Sequence, residues 1–329
     1  MSTETETKVV KILVTGGAGF IGSHLMHSLL TEEYDLYCVG IDNFNNYYDP
    51  QLKQDRCEEF GLEIRNCDLN DFEKLDYLFA DYEPDIVVHL AARAGVRQSV
   101  GNEHLYHRDN IDGTQNLINV CKLHNVTKVI YASTSSVYSG TKTLPWTEDI
   151  VQPHQKNPYA YTKYVNECQF KMSGLHNIGL RFFTVYGPWG RPDMALYDMT
   201  KDIVAGNPVR AFNWGLMKRD FTYISDIVAG IKLCIFNQDI RSDEIFNIGR
   251  GKQVDLMHFI NRIGIELNRE PDIIKTPPHP ADVLETWSNT SKIEKIGYQP
   301  VVDIEEGVAE FVSWYKDCLL YTSPSPRDS

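Results

Sequence analysis

Long apolar runs are missing from this chain. Runs such as residues 9–14, broken by Lys11, are only strand-length, so no membrane-crossing helix is expected. Residues 1–7 are polar and acidic rather than basic and then apolar, which argues against a secretory leader and for a cytoplasmic protein. Paired cysteines are missing too. The seven present (Cys38, Cys57, Cys67, Cys121, Cys168, Cys234, Cys318) are odd in number and scattered, which fits neither a disulfide framework nor a zinc site. His104 and His107, three apart beside Glu103, have no third ligand at a telling distance and read as a solvated helix face, so no metal is expected. Positive charge is short: 32 Lys and Arg stand against 45 Asp and Glu, a net charge of -13 that disfavours nucleic acid or an anionic membrane as partner. An anionic small molecule stays open, because a few placed cations and backbone N–H groups suffice to bind one. No internal repeat is visible. What remains is a 329-residue chain, 42% hydrophobic and 23% charged, long enough for one large domain and a smaller one.

The pattern that is present begins at residues 8–15, a buried parallel strand running into Gly16-Gly17-Ala18-Gly19-Phe20-Ile21-Gly22 and then the helical pattern of 23–30. Strand, glycine turn and helix form the context of a dinucleotide fingerprint, in which the glycines let a pyrophosphate approach the helix N-terminus. A second strand, 36–41, ends in Asp42, twenty residues beyond Gly22, where a carboxylate binds the adenosine ribose and repels a 2′-phosphate. NAD is therefore expected over NADP. Strand and helix then alternate: strand 62–66 ending at Asp68-Leu69, helix 71–82, strand 85–90 running into Ala91-Ala92, helix 110–124, and strand 128–133. Such repetition predicts an α/β fold with a doubly wound parallel sheet that binds its ligand at the carboxyl ends of the strands.

The strand at 128–133 ends in Ser133-Thr134-Ser135-Ser136, four hydroxyls placed to meet substrate oxygens. After the loop 145–158, Tyr159 opens a helix to about 172. Tyr159 and Lys163, four apart, share one face of it, with the ammonium near the phenol oxygen. A free tyrosine titrates near about 10, and an adjacent cation favours the phenolate, which can make tyrosine a base. Alone, such a pair is more often a surface contact. Strand 178–183 follows, and then residues 184–194, with Gly187-Pro188 and Arg191-Pro192, read as a loop that opens the smaller domain. Further expected elements are helices 199–205, 226–236, 256–267 and 304–316, and strands 209–213, 221–224 and 245–248. Residues 318–329 are low in complexity and are expected to be disordered or foreign, with their deletion neutral.

In this order, the glycine turn, the acidic strand end, the strand-end hydroxyls and Tyr159/Lys163 resemble the extended short-chain dehydrogenase/reductase family over residues 8–316. Asp42-Asn43-Phe44-Asn45-Asn46-Tyr47-Tyr48-Asp49, Ala92-Arg93-Ala94-Gly95-Val96-Arg97 and residues 180–195 (LRFFTVYGPWGRPDMA) are similar to those of its UDP-glucuronate 4-epimerases. The resemblance implies a Rossmann domain, residues 8–183 with 221–248 returning to it, and a smaller α/β nucleotide-sugar domain, 184–220 and 249–316. Residues 317–329 are left as the tail, and a homodimer is implied.

It also implies roles. NAD would rest on Gly16, Gly19, Phe20, Ile21, Gly22, Asp42, Asn43, Asp68, Leu69, Ala91, Ala92 and Lys163. Tyr159 would take the proton from the sugar's carbon 4 hydroxyl, with Lys163 lowering its pKa and Thr134 bonding the reacting oxygen. Ser135 and Ser136 stand where related dehydratases carry Asp-Glu and related decarboxylases Ser-Glu, so an acid-base pair for elimination is lacking. A 4-keto uronate is a β-keto acid prone to lose carbon dioxide; Thr184 and Arg191 match residues that hold its carboxylate, and Arg93 is a further substrate contact. Phe212 would cover uracil, Arg219 bind the pyrophosphate and Asp282 lie near the nucleotide ribose. His279 and Ser139 depart from the family pattern, with Gly140 free to take over the turn after Tyr138. Decarboxylation to a UDP-pentose, another nucleotide-sugar epimerisation, and a catalytically idle nucleotide-sugar or NAD binding protein are the alternatives.

Overall fold

The structure, a computed structural model, describes residues 9–320 apart from residues 33, 151, 153 and 279–282. In chain order the first half comprises β1 (Val10–Thr15), α1 (Phe20–Thr31), β2 (Leu36–Asp42), α2 (Gln51–Glu59), β3 (Ile64–Asn66), α3 (Phe72–Tyr82), β4 (Ile86–His89), α4 (Val96–Ser99), α5 (Glu103–Tyr106), α6 (Gly113–Leu123), β5 (Lys128–Thr134) and α7 (Pro158–Ser173). The second half holds β6 (Asn177–Phe182), β7 (Thr184–Tyr186), α8 (Ala195–Ala205), β8 (Val209–Ala211), β9 (Lys218–Arg219), β10 (Phe221–Tyr223), α9 (Ile224–Phe236), β11 (Glu244–Ile248), β12 (Val254–Asp255), α10 (Leu256–Leu267), β13 (Ile273–Lys275), α11 (Ser291–Glu294) and α12 (Ile304–Tyr315).

Seven strands form one parallel sheet in the order β11-β6-β5-β4-β1-β2-β3. Its central strands are apolar along nearly their whole length because helices cover both faces, as a parallel sheet requires. On one face Leu13, Val39, Val87 and Val129 pack with Leu75, Phe79, Leu117 and Phe170 of α3, α6 and α7. On the other, Ile12, Val14, Val88 and Ile130 belong to a larger core with residues of α1, α9, α10 and α12. Strand order reverses between β1 and β4, so the loops after these two strands part and leave a crevice at their carboxyl ends. The fold is thus an α/β doubly wound sheet, with three two-stranded sheets beside it: β7 with β10, β8 with β13 and β9 with β12.

Local chemistry sets the helix ends that matter for the crevice. α7 starts at Pro158, with its N-cap Asn157 accepting the Ala160 N–H at 2.8 Å. α3 is capped by Asp71, which accepts the Lys74 N–H at 3.2 Å. Gly140, with φ +102°, makes the turn after Tyr138.

Two local expectations are corrected. Residues 184–194 are not loop throughout: 184–186 are β7, paired in parallel with β10. Residues 51–59, to which the sequence reading assigns no element, form α2; the helix buries Leu52, Lys53 and Arg56 in place of an apolar stripe, so periodicity could not announce it. Asp282 and most of the tail (321–329) lie outside the described residues, while 316–320 continue α12 as a π-turn.

Candidate active site

A single cavity of about 390 Å³ opens at the switch point and collects most of the candidate residues. Its floor is the glycine turn. Gly16, at φ +71°, and Gly17 both donate their N–H to the Ile41 carbonyl, at 2.8 and 3.1 Å. A Cβ on Gly22 would stand 2.2 Å from the Gly16 carbonyl oxygen, and one on Gly16 2.8 Å from the Ala91 nitrogen. Glycine is therefore required for α1 to begin directly against the turn, where no side chain caps its first N–H groups. Such an uncapped N-terminus, reached by backbone alone, fits a dinucleotide pyrophosphate. Phe20, Ile21, Asn43, Asp68, Leu69, Ala91 and Ala92 line the same cavity.

Asp42 closes β2 with a surprise for the sequence reading. Its Oδ1 accepts from the Phe44 N–H at 2.9 Å and from Lys53 Nζ at 3.0 Å, and both charged side chains are under one-tenth exposed. α2 thus delivers a cation to the carboxylate expected to meet the adenosine ribose. Asn43 Nδ2 donates to Asp68 Oδ2 at 3.1 Å, joining the ends of β2 and β3. Arg56, fully buried, donates to the Trp189 carbonyl from Nε (3.0 Å) and Nη2 (2.7 Å), and from Nη1 to the Ala18 carbonyl (3.2 Å) and the Tyr48 hydroxyl (2.7 Å). It bridges the glycine turn to the segment that carries Arg191.

At the other end of the cavity, β5 delivers Thr134, Ser135 and Ser136, and α7 delivers Tyr159 and Lys163. The Ser136 N–H donates to Thr134 Oγ1 at 3.2 Å, which turns the chain away from the strand. Burial raises the Tyr159 phenol above its ordinary value, while a hydrogen bond with Thr134 and the charge of Arg191 pull it down. The sequence reading gives that second role to Lys163. Lys163 itself, 2% exposed, is pushed down to about 8 by burial, with the Glu167 carboxylate opposing.

Behind Lys163 lies a polar network absent from the sequence reading. Glu167 takes a two-pronged contact from Arg181 (Nε–Oε1 2.9 Å, Nη2–Oε2 2.8 Å) and a hydrogen bond from Ser133 Oγ at 2.5 Å. Arg181 Nη1 donates to the Tyr138 hydroxyl at 2.8 Å, which donates to Asn247 Oδ1 at 2.7 Å. The network fixes α7 across β5, β6 and β11; a helix glutamate one turn beyond Lys163 and an arginine inside β6 were its only sequence signals.

Thr184 and Arg191 also line the cavity, as does Arg93. Neither arginine stands alone. Arg191 makes a two-pronged contact to Asp193 (Nε–Oδ1 2.9 Å, Nη2–Oδ2 2.8 Å), and Arg93 Nε donates to Asp109 Oδ2 at 2.7 Å. Phe212 and Arg219 lie outside the lining of this cavity. The Arg97 guanidinium sits 4.0 Å from the Phe212 ring centroid, and Arg219 Nη1 donates to the Lys218 and Leu284 carbonyls at 3.0 and 2.9 Å. Among the described residues no group of three His, Cys, Asp or Glu could hold a metal ion, and no helix is long and apolar enough to cross a membrane.

Comparison with known proteins points the same way. The profile of the NAD dependent epimerase/dehydratase family matches residues 12–249. UDP-glucuronate 4-epimerase 4 of Arabidopsis thaliana is 38% identical over 332 residues, spanning 93% of this chain and 75% of that protein. The crystal structure of UDP-glucuronic acid 4-epimerase from Bacillus cereus, with UDP-glucuronic acid and NAD, superposes with a TM-score of 0.87 at 33% identity, covering 94% of this chain and 99% of that one. The NAD complex of a Thermus thermophilus UDP-glucose 4-epimerase superposes with a TM-score of 0.85 at 27% identity, covering 94% and 100%.

Proposed function

The chain belongs to the NAD dependent epimerase/dehydratase family and is an NAD-dependent nucleotide-sugar enzyme, and on that premise we propose that it interconverts UDP-glucuronate and UDP-galacturonate at carbon 4. NAD, when bound, supplies the acceptor and later the donor of a hydride at that carbon. We assign its pyrophosphate to the N-terminus of α1, its adenosine ribose to Asp42 with Lys53, and its nicotinamide ribose to Lys163. The protein's own part is to move one proton, to hold the sugar through two opposite presentations of carbon 4, and to keep its carboxylate.

Tyr159 carries the proton. Burial holds the phenol above its ordinary value, and the hydrogen bond from Thr134 and the Arg191 charge oppose that rise without cancelling it. Lys163, close to its neutral range, adds positive charge where the oxidised cofactor and the phenolate meet. Thr184 and Arg191 take the uronate carboxylate, with Arg93 on the neighbouring loop. Phe212 and Arg219 serve the uridine diphosphate from the smaller domain, for which we propose residues 184–220 and 249–316.

One observation carries the choice of reaction: Arg191 shares the cavity with Thr134, Tyr159 and Lys163, while Ser135 and Ser136 supply no carboxylate beside them. The acids that do line the cavity are Asp42 and Asp68 by the glycine turn and Asp109, already held by Arg93. An oxidised uronate therefore meets a cation for its carboxylate and no acid-base pair to drive elimination. Incubation with UDP-glucuronate, followed by separation of UDP-galacturonate, UDP-pentose and carbon dioxide, tests this. UDP-galacturonate is the expected product, and Tyr159→Phe should lower its formation by at least about a thousandfold, within the span of general base catalysis and proton positioning together, while NAD stays bound. A pentose as main product, or retention of most activity in Tyr159→Phe, would refute the reading.

A further inference from the structure

Asp193 is absent from the cavity lining, yet it holds Arg191, which does line it. Its carboxylate takes the Nε and Nη2 edge of Arg191, and its Oδ2 also accepts from the Tyr47 hydroxyl at 3.0 Å. The two paired side chains are only 23% and 19% exposed. Two guanidinium groups lie near the Tyr47 ring, that of Arg191 5.7 Å and that of Arg93 5.9 Å from its centroid. Gly95 makes room for its hydroxyl, since a Cβ there would stand 2.2 Å from it. Arg191 has five N–H donors in a rigid plane. With one edge held by Asp193, only the edge bearing Nη1 is left to meet a substrate carboxylate.

We propose that Asp193, braced by Tyr47, is the positioning residue that turns Arg191 into a fixed fork, so that the uronate carboxylate is held in one plane and epimerisation proceeds without loss of carbon dioxide. The proposal rests on the UDP-glucuronate reading above. Its chemistry is that of a β-keto acid. In the 4-keto uronate the bond between carbons 5 and 6 breaks when its electron pair can flow into the carbon 4 carbonyl. That releases carbon dioxide and leaves an enolate that takes a proton at carbon 5. The hydride removed in the first oxidation, returned to carbon 4, then gives a UDP-pentose. Breakage requires the sugar ring to pucker until the bond from carbon 5 to carbon 6 lies parallel to the carbonyl π system, which swings the carboxylate to a new position. A fork fixed in one place opposes that swing; a freely swivelling arginine attracts the carboxylate but follows it.

The charge balance has the same sense. Arg191 with Asp193, and Arg93 with Asp109, are each neutral as pairs, so the pocket orients an anion more than it draws one in.

The test uses the NAD-loaded full chain with UDP-glucuronate, counting UDP-galacturonate against UDP-pentose and carbon dioxide. With Asp193→Asn, the ratio of pentose to UDP-galacturonate should rise about tenfold or more, as expected for loss of a charge-assisted hydrogen bond. NAD content should stay native. Asp193→Glu should restore part of the native ratio. Tyr47→Phe, which keeps the ion pair and removes only its brace, should move the ratio in the same direction by less, and it serves if Asp193→Asn fails to fold. An unchanged product ratio in Asp193→Asn, or in Tyr47→Phe alone should it be the only folded variant, overturns the proposal even if overall rate falls, because a merely structural role lowers both products together. If the native protein forms no UDP-galacturonate, the substrate reading falls and takes this inference with it.

Discussion

Replacing Lys163 by methionine should make the protein more stable and inactive at once. The ammonium is 2% exposed, and burial lowers its pKa from 10.5 to about 8. Below about pH 8 the folded protein holds a charge that its surroundings disfavour. A shift of this size corresponds to about 3 kcal/mol of folding stability given up for that charge. Methionine fills a similar volume without it, so Lys163→Met should gain about 1 to 3 kcal/mol at pH 7. At a urea dependence of about 3 kcal/mol per molar, that is an increase of up to about 1 M in the unfolding midpoint. The sign with pH follows from linkage. Between about 8 and 10.5 the unfolded native chain binds a proton on Lys163 that the folded one does not, so native stability rises with pH across that window. The advantage of Lys163→Met is therefore full below pH 8, shrinks through the window and is gone above it. Urea unfolding of NAD-free native and variant proteins, followed by tryptophan fluorescence from pH 7 to 10.5, measures it. A variant no more stable than native at pH 7, or one whose advantage does not change with pH, would refute the reasoning.

Two further outcomes follow from buried ion pairs. Because Lys53 stands 3.0 Å from Asp42, removing the acid with Asp42→Gly should expose a cation at the adenosine ribose and improve NADP binding relative to NAD by about ten- to a hundredfold, a charged hydrogen bond's worth; adding Lys53→Met should reverse it, and calorimetric titration of both nucleotides shows whether it does. Glu167→Gln should strand the Arg181 guanidinium and destabilise the fold by about 3 to 5 kcal/mol, seen as a drop in melting temperature; a variant melting within a degree of native would contradict the network's importance.

The cofactor end was legible because its chemistry is local in sequence: a strand, a glycine turn, a helix and an acid at a fixed distance bring their own neighbours. The meeting of Thr134, Tyr159 and Lys163 in one cavity was legible for the same reason, Tyr159 and Lys163 being one helical turn apart and Thr134 ending a strand. What escaped is what depends on distant partners. α2 is a polar segment whose two buried cations find Asp42 and the Ala18 and Trp189 carbonyls only in three dimensions. Asp193 reads as a loop residue after a proline until Tyr47, 146 positions away, is seen to donate to it. Which charges act on Tyr159 is a subtler matter than spacing alone conveys. Adjacency along a helix face does not rank electrostatic influence, and Arg191, reached across the cavity, acts on the phenol while burial governs both members of the pair.

The Arg56 bridge has a consequence for the ancestry of such chains. One guanidinium holds the Ala18 carbonyl within the glycine turn and the Trp189 carbonyl two residues before Arg191. A hybrid that took its first half from one parent and its second from another would keep the glycine turn and the Arg191 segment, yet would register them against each other only if both parents had settled on the same arginine and the same pair of carbonyls. The two halves must be inherited together, and drift in the one is limited by the reach of a single side chain from the other.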